Sequence, residues 1–257
     1  MGSLLIRHGI PVTACFEELN EKRPDLIRKI HKDYWNAGAQ VIVTNSFGAN
    51  RLRLKSPEKL ERLNRMAVKI ARQAAPKASV FASIGPLGRE GQKMNRSEMI
   101  RIFAEQVRAL EREKPDGYLV ETMISLKEAV AAARAVRQLS NRYLIVSLTF
   151  PKGLEKKRGP AELVGKTLRQ AGVDGIGANC GIHPKEVFDF LDFFRKYDPG
   201  PWMARPAGGI PTQPVPPEEF AHWASRIAKL GVTYIGGCCG TTPQHIRALG
   251  QKIRRVL

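Results

Sequence analysis

Cysteine is the residue type in this chain with the clearest capacity for chemistry. Cys238 and Cys239 are adjacent and framed by glycines in Gly236-Gly237-Cys238-Cys239-Gly240, directly after the apolar run Val232-Thr233-Tyr234-Ile235. That run reads as a buried strand, and the glycines let the backbone turn sharply and come close to whatever the sulfurs hold. Adjacent cysteines on a strand point to opposite faces, so both reach one ion only where the strand ends and the backbone kinks. A third thiol, Cys180, follows a second short apolar run in Gly175-Ile176-Gly177-Ala178-Asn179-Cys180. Three thiolates from two strand ends make a soft donor set with a fourth position open, the pattern of a catalytic zinc rather than a closed structural one. Two plainer readings compete. A cysteine often serves as a small buried hydrophobe, which suits Cys180 taken alone as well as a ligand role does. A vicinal disulfide is strained and leaves Cys180 without a role.

Bringing these thiols together takes a scaffold that carries several strand ends to one rim. Helix-like stretches at 25–36, 57–75, 97–113, 126–138, 161–170, 184–196 and 217–229 each precede a strand-like run, at 41–44, 80–84, 118–120, 144–148, 175–178, 202–204 and 232–235. A last helix spans 243–255. Strands alternating with helices of this length indicate parallel β-α units. The pattern has seven strands and eight helices, whereas a closed barrel needs eight strands. The expectation is therefore an α/β fold, a parallel (βα)8 TIM-type barrel missing its first strand, with residues 1–257 as one barrel domain. No internal repeat or linker divides it. The loop from Pro206 to Pro217 is rich in Pro and Gly; it either rims the site or is a surface connection.

Composition narrows the function class. Hydrophobic residues make up 43% of 257, enough for a sizeable core, and no apolar run approaches the roughly 18 residues of a membrane span. No secretion signal is visible at the start. Free cysteines in a metal pattern suit a reducing compartment, so the expected location is cytoplasmic. Lys and Arg number 42 against 24 acids, a formal charge of +18, which raises the question of an anionic partner. The basic residues are spread over 51–55, 152–158 and 252–255, and aromatics are only 7%. That is a poor match to the stacking platforms of single-strand binders, so nucleic acid is not expected as a partner.

Several motifs together carry a resemblance. Gly177-Ala178-Asn179-Cys180-Gly181 and Gly236-Gly237-Cys238-Cys239-Gly240-Thr241-Thr242-Pro243-Gln244-His245-Ile246 resemble the homocysteine S-methyltransferase family, as do the stretches 23–31 and 37–39, Thr44 to Arg51, Ser83-Ile84-Gly85-Pro86 and Val120-Glu121-Thr122-Met123. The resemblance runs from residue 1 to about residue 250. It implies a zinc-dependent transfer of a methyl group to the thiol of homocysteine, giving methionine, with Cys180, Cys238 and Cys239 as Zn2+ ligands and catalytic residues. It further implies that Glu121, which also ends a strand, binds the substrate amino group; Thr44 and Asn45 stand at the same rim, where they touch the substrate or order the loop. Plainer roles for these three are a helix N-terminal acid for Glu121 and turn or cap residues for Thr44 and Asn45. Cys15 reads as a packed or surface thiol, and His245 as a cap or packing residue. The family carries Asn where Ala207 stands, which weakens any polar role there. Family members open with a strand and Asp-Gly-Ala-Met-Gly-Thr; Met1-Gly2-Ser3 resembles the end of that motif, so the first strand and its aspartate are expected to be absent, unless Leu4-Leu5-Ile6 fills the slot.

The expected partners are homocysteine and a methyl donor, supplied by a separate protein where a donor module is used. The donor stays open among S-methylmethionine, betaine, adenosylmethionine and methylcobalamin. The alternatives are a methyltransferase acting on another thiol or selenol, and an inactive truncated barrel with a basic interaction surface. Salt-dependent DNA binding would mark the last.

Overall fold

The structure, a computed structural model, describes residues 1–149, 158–181, 183–210 and 212–254. The basic stretch 152–157 and Arg255 lie outside the described residues. The chain opens with α1 (Gly2–Arg7), a 3-10 turn at Phe16–Glu18, α2 (Leu19–Lys22) and α3 (Pro24–Asn36), which leads into β1 (Val41–Val43). There follow α4 (Arg51–Leu54), α5 (Pro57–Ala74), β2 (Ser79–Ile84), α6 (Gly88–Gln92), α7 (Arg96–Glu111), β3 (Gly117–Met123), α8 (Leu126–Leu139) and β4 (Tyr143–Leu148). The second half holds α9 (Arg158–Gln170), β5 (Gly175–Cys180), α10 (Pro184–Phe194), β6 (Trp202–Pro206), a hairpin of β7 (Gly209–Ile210) and β8 (Gln213–Pro214), α11 (Pro217–Ala228), β9 (Tyr234–Ile235) and α12 (Pro243–Ile253).

Seven strands form one parallel sheet in the order β1-β2-β3-β4-β5-β6-β9. This is the curled sheet of a TIM-type barrel lacking one strand, as the alternating pattern predicts. β1 and β9 stand at the two ends of the order, each with a single partner strand among the described residues. Leu4-Leu5-Ile6 does not supply the missing strand. It lies in α1, where Leu5 N and His8 N bond back to Met1 O and Leu4 O. The reason is burial of one helical face: Leu5 is fully enclosed with Ile27 and Ile30 of α3.

Local chemistry sets the helix starts. Ser56 caps α5 ahead of Pro57, and Asn95 with Glu98 forms a capping box on α7, each placing a side-chain acceptor on an otherwise unpaired N–H. His245 of α12 completes a similar box with Thr242, and its Nε2 lies 2.9 Å from Val215 O. It is a cap and packing residue.

The central strands β2 to β5 are buried on both faces, as parallel strands are, and their period of two sorts the side chains. Val80, Ala82, Tyr118, Val120, Leu144, Val146, Ile176 and Ala204 face the helix layer in one large cluster. Phe81, Leu119, Ile145 and Met203 form a separate cluster with Tyr143 and Tyr234. The three rings of Phe81, Tyr143 and Tyr234 lie with centroids 5.7–6.5 Å apart. This second cluster is the apolar floor of the sheet's concave side. Two residues further along each strand the same parity carries Ser83, Glu121, Ser147 and Arg205.

His31 sits in α3 at 3% exposure, and its Nε2 has no hydrogen-bond partner among the described residues. Burial pushes its pKa from 6.5 down to about 3. The unfolded chain takes up a proton below 6.5 and the folded one does not until about 3, so the contribution of neutral His31 is full above 6.5 and fades as pH falls. In urea unfolding at pH 7 and pH 5, His31→Leu is expected to lose about 2 kcal/mol less than the wild type across that interval. An identical acid slope in both proteins would show that His31 is charged in the folded state.

Candidate active site

The three cysteines of the sequence pattern meet at one rim of the sheet. Their sulfurs all lie within 4.8 Å of one another, and Cys180 Sγ stands 3.9 Å from Cys239 Sγ. Cys180 ends β5 with a left-handed φ of 71°. Cys238 and Cys239 follow β9, where the strand stops and the backbone turns. Gly240 makes that turn possible: its φ is +77°, and a Cβ there would stand 2.5 Å from Gly209 O. Main-chain bonds fix both loops to the residues after β6. Ala207 N donates to Cys180 O at 3.2 Å, Cys238 N to Pro206 O at 2.9 Å, and Gly208 N to Cys239 O at 2.7 Å. Cys15 is elsewhere, with its Sγ 3.3 Å from Glu17 Oε2, and takes no part.

The cluster opens towards solvent, since Cys239 is exposed and Cys180 and Cys238 are half-buried. The three thiols share charge unequally. Hydrogen bonds from Cys180 and Cys239 hold the Cys238 thiol well below its usual range against its burial, helped by the Arg205 charge and the Asn179 amide. Cys180 is pushed up because it donates to Cys238 and Cys239.

Beneath the sulfurs lies a polar layer on the inward parity of the strands. Asn179 of β5 is 2% exposed. Its Oδ1 accepts from Ser147 Oγ at 2.6 Å and from Thr122 N at 3.0 Å, while Nδ2 donates to Thr122 Oγ1 at 2.9 Å and lies 3.6 Å from Cys238 Sγ. Thr122 has φ 63°, a left-handed conformation that is unfavourable for a β-branched residue. It sits where the β3–β4 register shifts between Val120 and Met123. Such an irregularity re-aims a side chain at the end of a strand, here Glu121. Glu121 is 7% exposed; Ser83 Oγ donates to its Oε1 at 2.5 Å and Arg205 Nη1 to its Oε2 at 2.6 Å. Arg205 Nε also donates to Gly237 O at 3.2 Å, one residue before Cys238. Burial works against the Arg205 charge, and Glu121 together with the Cys238 and Cys239 sulfurs more than offsets this, so its pKa is raised.

The other two residues singled out from sequence are engaged structurally. Thr44 Oγ1 accepts from Ser83 N at 3.0 Å and lies 2.7 Å from Ser46 Oγ, joining β1 to β2 next to the Glu121 pair. Asn45 Nδ2 donates to Phe16 O at 2.8 Å and Asn20 Oδ1 at 2.9 Å, which ties the 16–20 segment to the end of β1. Arg205, Asn179, Ser147 and Thr122 had no assigned role from the sequence. The signal for all but Thr122 was their parity with the inward apolar positions, two residues beyond Met203, Gly177 and Ile145 and in line with them.

Asn179→Ala is expected to lower stability by roughly 2–4 kcal/mol, because it strands the Thr122 amide and the buried Ser147 hydroxyl. Urea unfolding at pH 7 measures this, and a loss under about 0.5 kcal/mol would show that water takes over those bonds.

Comparison with known proteins places this geometry in context. The homocysteine S-methyltransferase family model matches residues 1–253. The chain is 32% identical to methionine synthase of Mycobacterium leprae (strain TN) over 271 residues, covering 94% of this chain and 22% of that protein. The Mycobacterium tuberculosis (strain ATCC 25618 / H37Rv) methionine synthase is 31% identical with the same coverage. The chain thus spans 22% of the length of these curated relatives. Among solved structures, the metallated form of the homocysteine methyltransferase MmuM from Escherichia coli shares the fold with a TM-score of 0.82 at 23% identity, covering 96% of this chain and 92% of that one.

Proposed function

The chain belongs to the homocysteine S-methyltransferase family, and from that premise we propose that it transfers a methyl group to the thiol of homocysteine, giving methionine, with a zinc ion held by Cys180, Cys238 and Cys239. The observation that carries this reading is the convergence of three sulfurs within 4.8 Å at an open rim. The donor set fits the ion. Three soft ligands from two loops, with one ligand exposed, leave room for a further ligand at the solvent side. Hydrogen bonding already favours a thiolate at Cys238, the protonation state that a metal ligand requires. Zinc bound there would lower the pKa of a thiol joining it and so supply a sulfur nucleophile near neutral pH.

The chain's own residues do the rest. Asn179 holds the Cys238 sulfur and the end of β3 in one network. Glu121, fixed by Ser83 and Arg205, offers a buried carboxylate to the substrate ammonium, a charge-assisted contact. Thr44 keeps Ser83 in register, and Asn45 orders the neighbouring loop. In the transfer a carbon–sulfur bond forms to the donor's methyl carbon, the donor keeps the electron pair of the bond that breaks, and the thiol proton is released.

Elemental analysis of the purified protein is expected to find about one zinc per chain, and Cys238→Ala to weaken zinc binding at least as much as the 10- to 100-fold loss typical of an outer-shell partner. Undiminished zinc affinity in that variant would sink the ligand assignment. Glu121→Ala is expected to raise KM for homocysteine by roughly 10- to 100-fold with zinc content unchanged. Parallel loss of zinc and activity would instead make Glu121 a support of the metal loops.

A further inference from the structure

The carboxylate of Glu121 is not waiting alone for an amine. Both of its oxygens are engaged, one by the Ser83 hydroxyl and one by the Arg205 guanidinium at 2.6 Å. Arg205 is itself held from a second side, through Nε to Gly237 O. These two bonds use two of the five N–H donors that a guanidinium carries. Of the two partners Arg205 is the more open, with its side chain 20% exposed against 9% for Glu121. The pair therefore presents opposite charges side by side, next to the loop that bears Cys238.

A bare buried carboxylate suits a bare amine. A neutral pair of opposite charges suits a zwitterion, whose ammonium goes to the acid and whose carboxylate goes to the base. The planar guanidinium fork matches a carboxylate better than any other side chain does. Without such a partner, a substrate carboxylate brought into this layer would lose its water with nothing in return. Building on the methyl transfer proposed above, we infer that Arg205 is a specificity-determining residue: it receives the α-carboxylate while Glu121 receives the α-ammonium, and together they restrict the acceptor to thiols carried on an α-amino acid. A role for Arg205 confined to balancing the charge of the sulfurs would affect every thiol acceptor alike, so the two can be separated.

The test is a set of three acceptors on the zinc-loaded protein, followed by titration calorimetry and by turnover. They are homocysteine, its decarboxylated analogue aminopropanethiol, and its deaminated analogue sulfanylbutanoate. The wild type is expected to bind homocysteine roughly 10- to 100-fold more tightly than aminopropanethiol. Arg205→Met should weaken homocysteine by that factor and leave aminopropanethiol within about twofold, closing the gap. Arg205→Lys keeps a cation without the fork and should narrow the gap in part, which serves if the methionine variant does not fold. A gap that survives either substitution unchanged overturns the inference. A wild type that makes methionine yet binds aminopropanethiol as tightly as homocysteine removes this inference and leaves the proposed reaction standing. A wild type that binds none of the three removes both.

Discussion

Three consecutive residues, Pro206, Ala207 and Gly208, hold both cysteine loops through their backbone. The carbonyl of Pro206 takes the Cys238 amide, the amide of Ala207 reaches the Cys180 carbonyl, and the amide of Gly208 reaches the Cys239 carbonyl. The sulfurs converge because β6 lies between β5 and β9 in the sheet, so its extension runs between the two loops. None of these bonds uses a side chain. At Ala207, 1% exposed, the clasp uses only the backbone amide, with a small side chain packed beside it. Crowding enforces the same economy at Gly208, where a Cβ would stand 2.8 Å from Thr241 N.

Below this clasp the concave side of the sheet is stratified. The floor is apolar and aromatic, and the next inward layer is polar, with Glu121 and Asn179 hydrogen-bonded through both side-chain termini. A buried charge is costly unless it is paired and hydrogen-bonded, and Glu121 meets both conditions through Arg205 and Ser83. Asn179 does the same for uncharged groups, satisfying the amide of a residue with left-handed backbone. A layer tied by several buried hydrogen bonds is rigid. Rigidity here means that Glu121, Arg205 and the Cys238 sulfur are held at fixed separations, which is what an acceptor with a charged head and a thiol tail requires.

The alternation of helical and strand-like runs made the β-α repeat legible, and all seven expected strands are present in the parallel sheet. Boundaries were less legible. The run at 232–235 forms ladder pairs only at Tyr234 and Ile235, because the glycines that follow turn the chain away. The thiol cluster was readable from Gly-framed cysteines, since the residue types themselves carry the chemistry. The partners of those residues were not. Asn179 reads as part of a motif and Arg205 as one cation among 42 in the chain; only the inward parity of β5 and β6 separates them from surface residues. Leu4-Leu5-Ile6 was ambiguous for a different reason. A three-residue apolar run has no period long enough to tell a strand from one turn of helix, and contact with Ile27 and Ile30 decided it.

Several of the exposed cations stand in ion pairs away from the site. Arg51 of α4 pairs with Glu105 of α7, Arg62 of α5 with Glu21 of α2, and Arg65 of α5 with Glu113 in the turn after α7, all on the outer layer. Exposed pairs of this kind contribute about 0–1 kcal/mol each, so they neither build the fold nor reach the sulfurs. At the rim the Arg205 guanidinium stands against the Glu121 carboxylate and the Cys238 sulfur. A screened outer charge and an unscreened inner pair respond differently to salt, because the Debye length of about 8 Å at physiological ionic strength acts through water and not through the packed strands. The excess of cations therefore bears on solubility and on encounters with anionic partners, while the acceptor recognition proposed above rests on the charges enclosed beneath the cysteine loops.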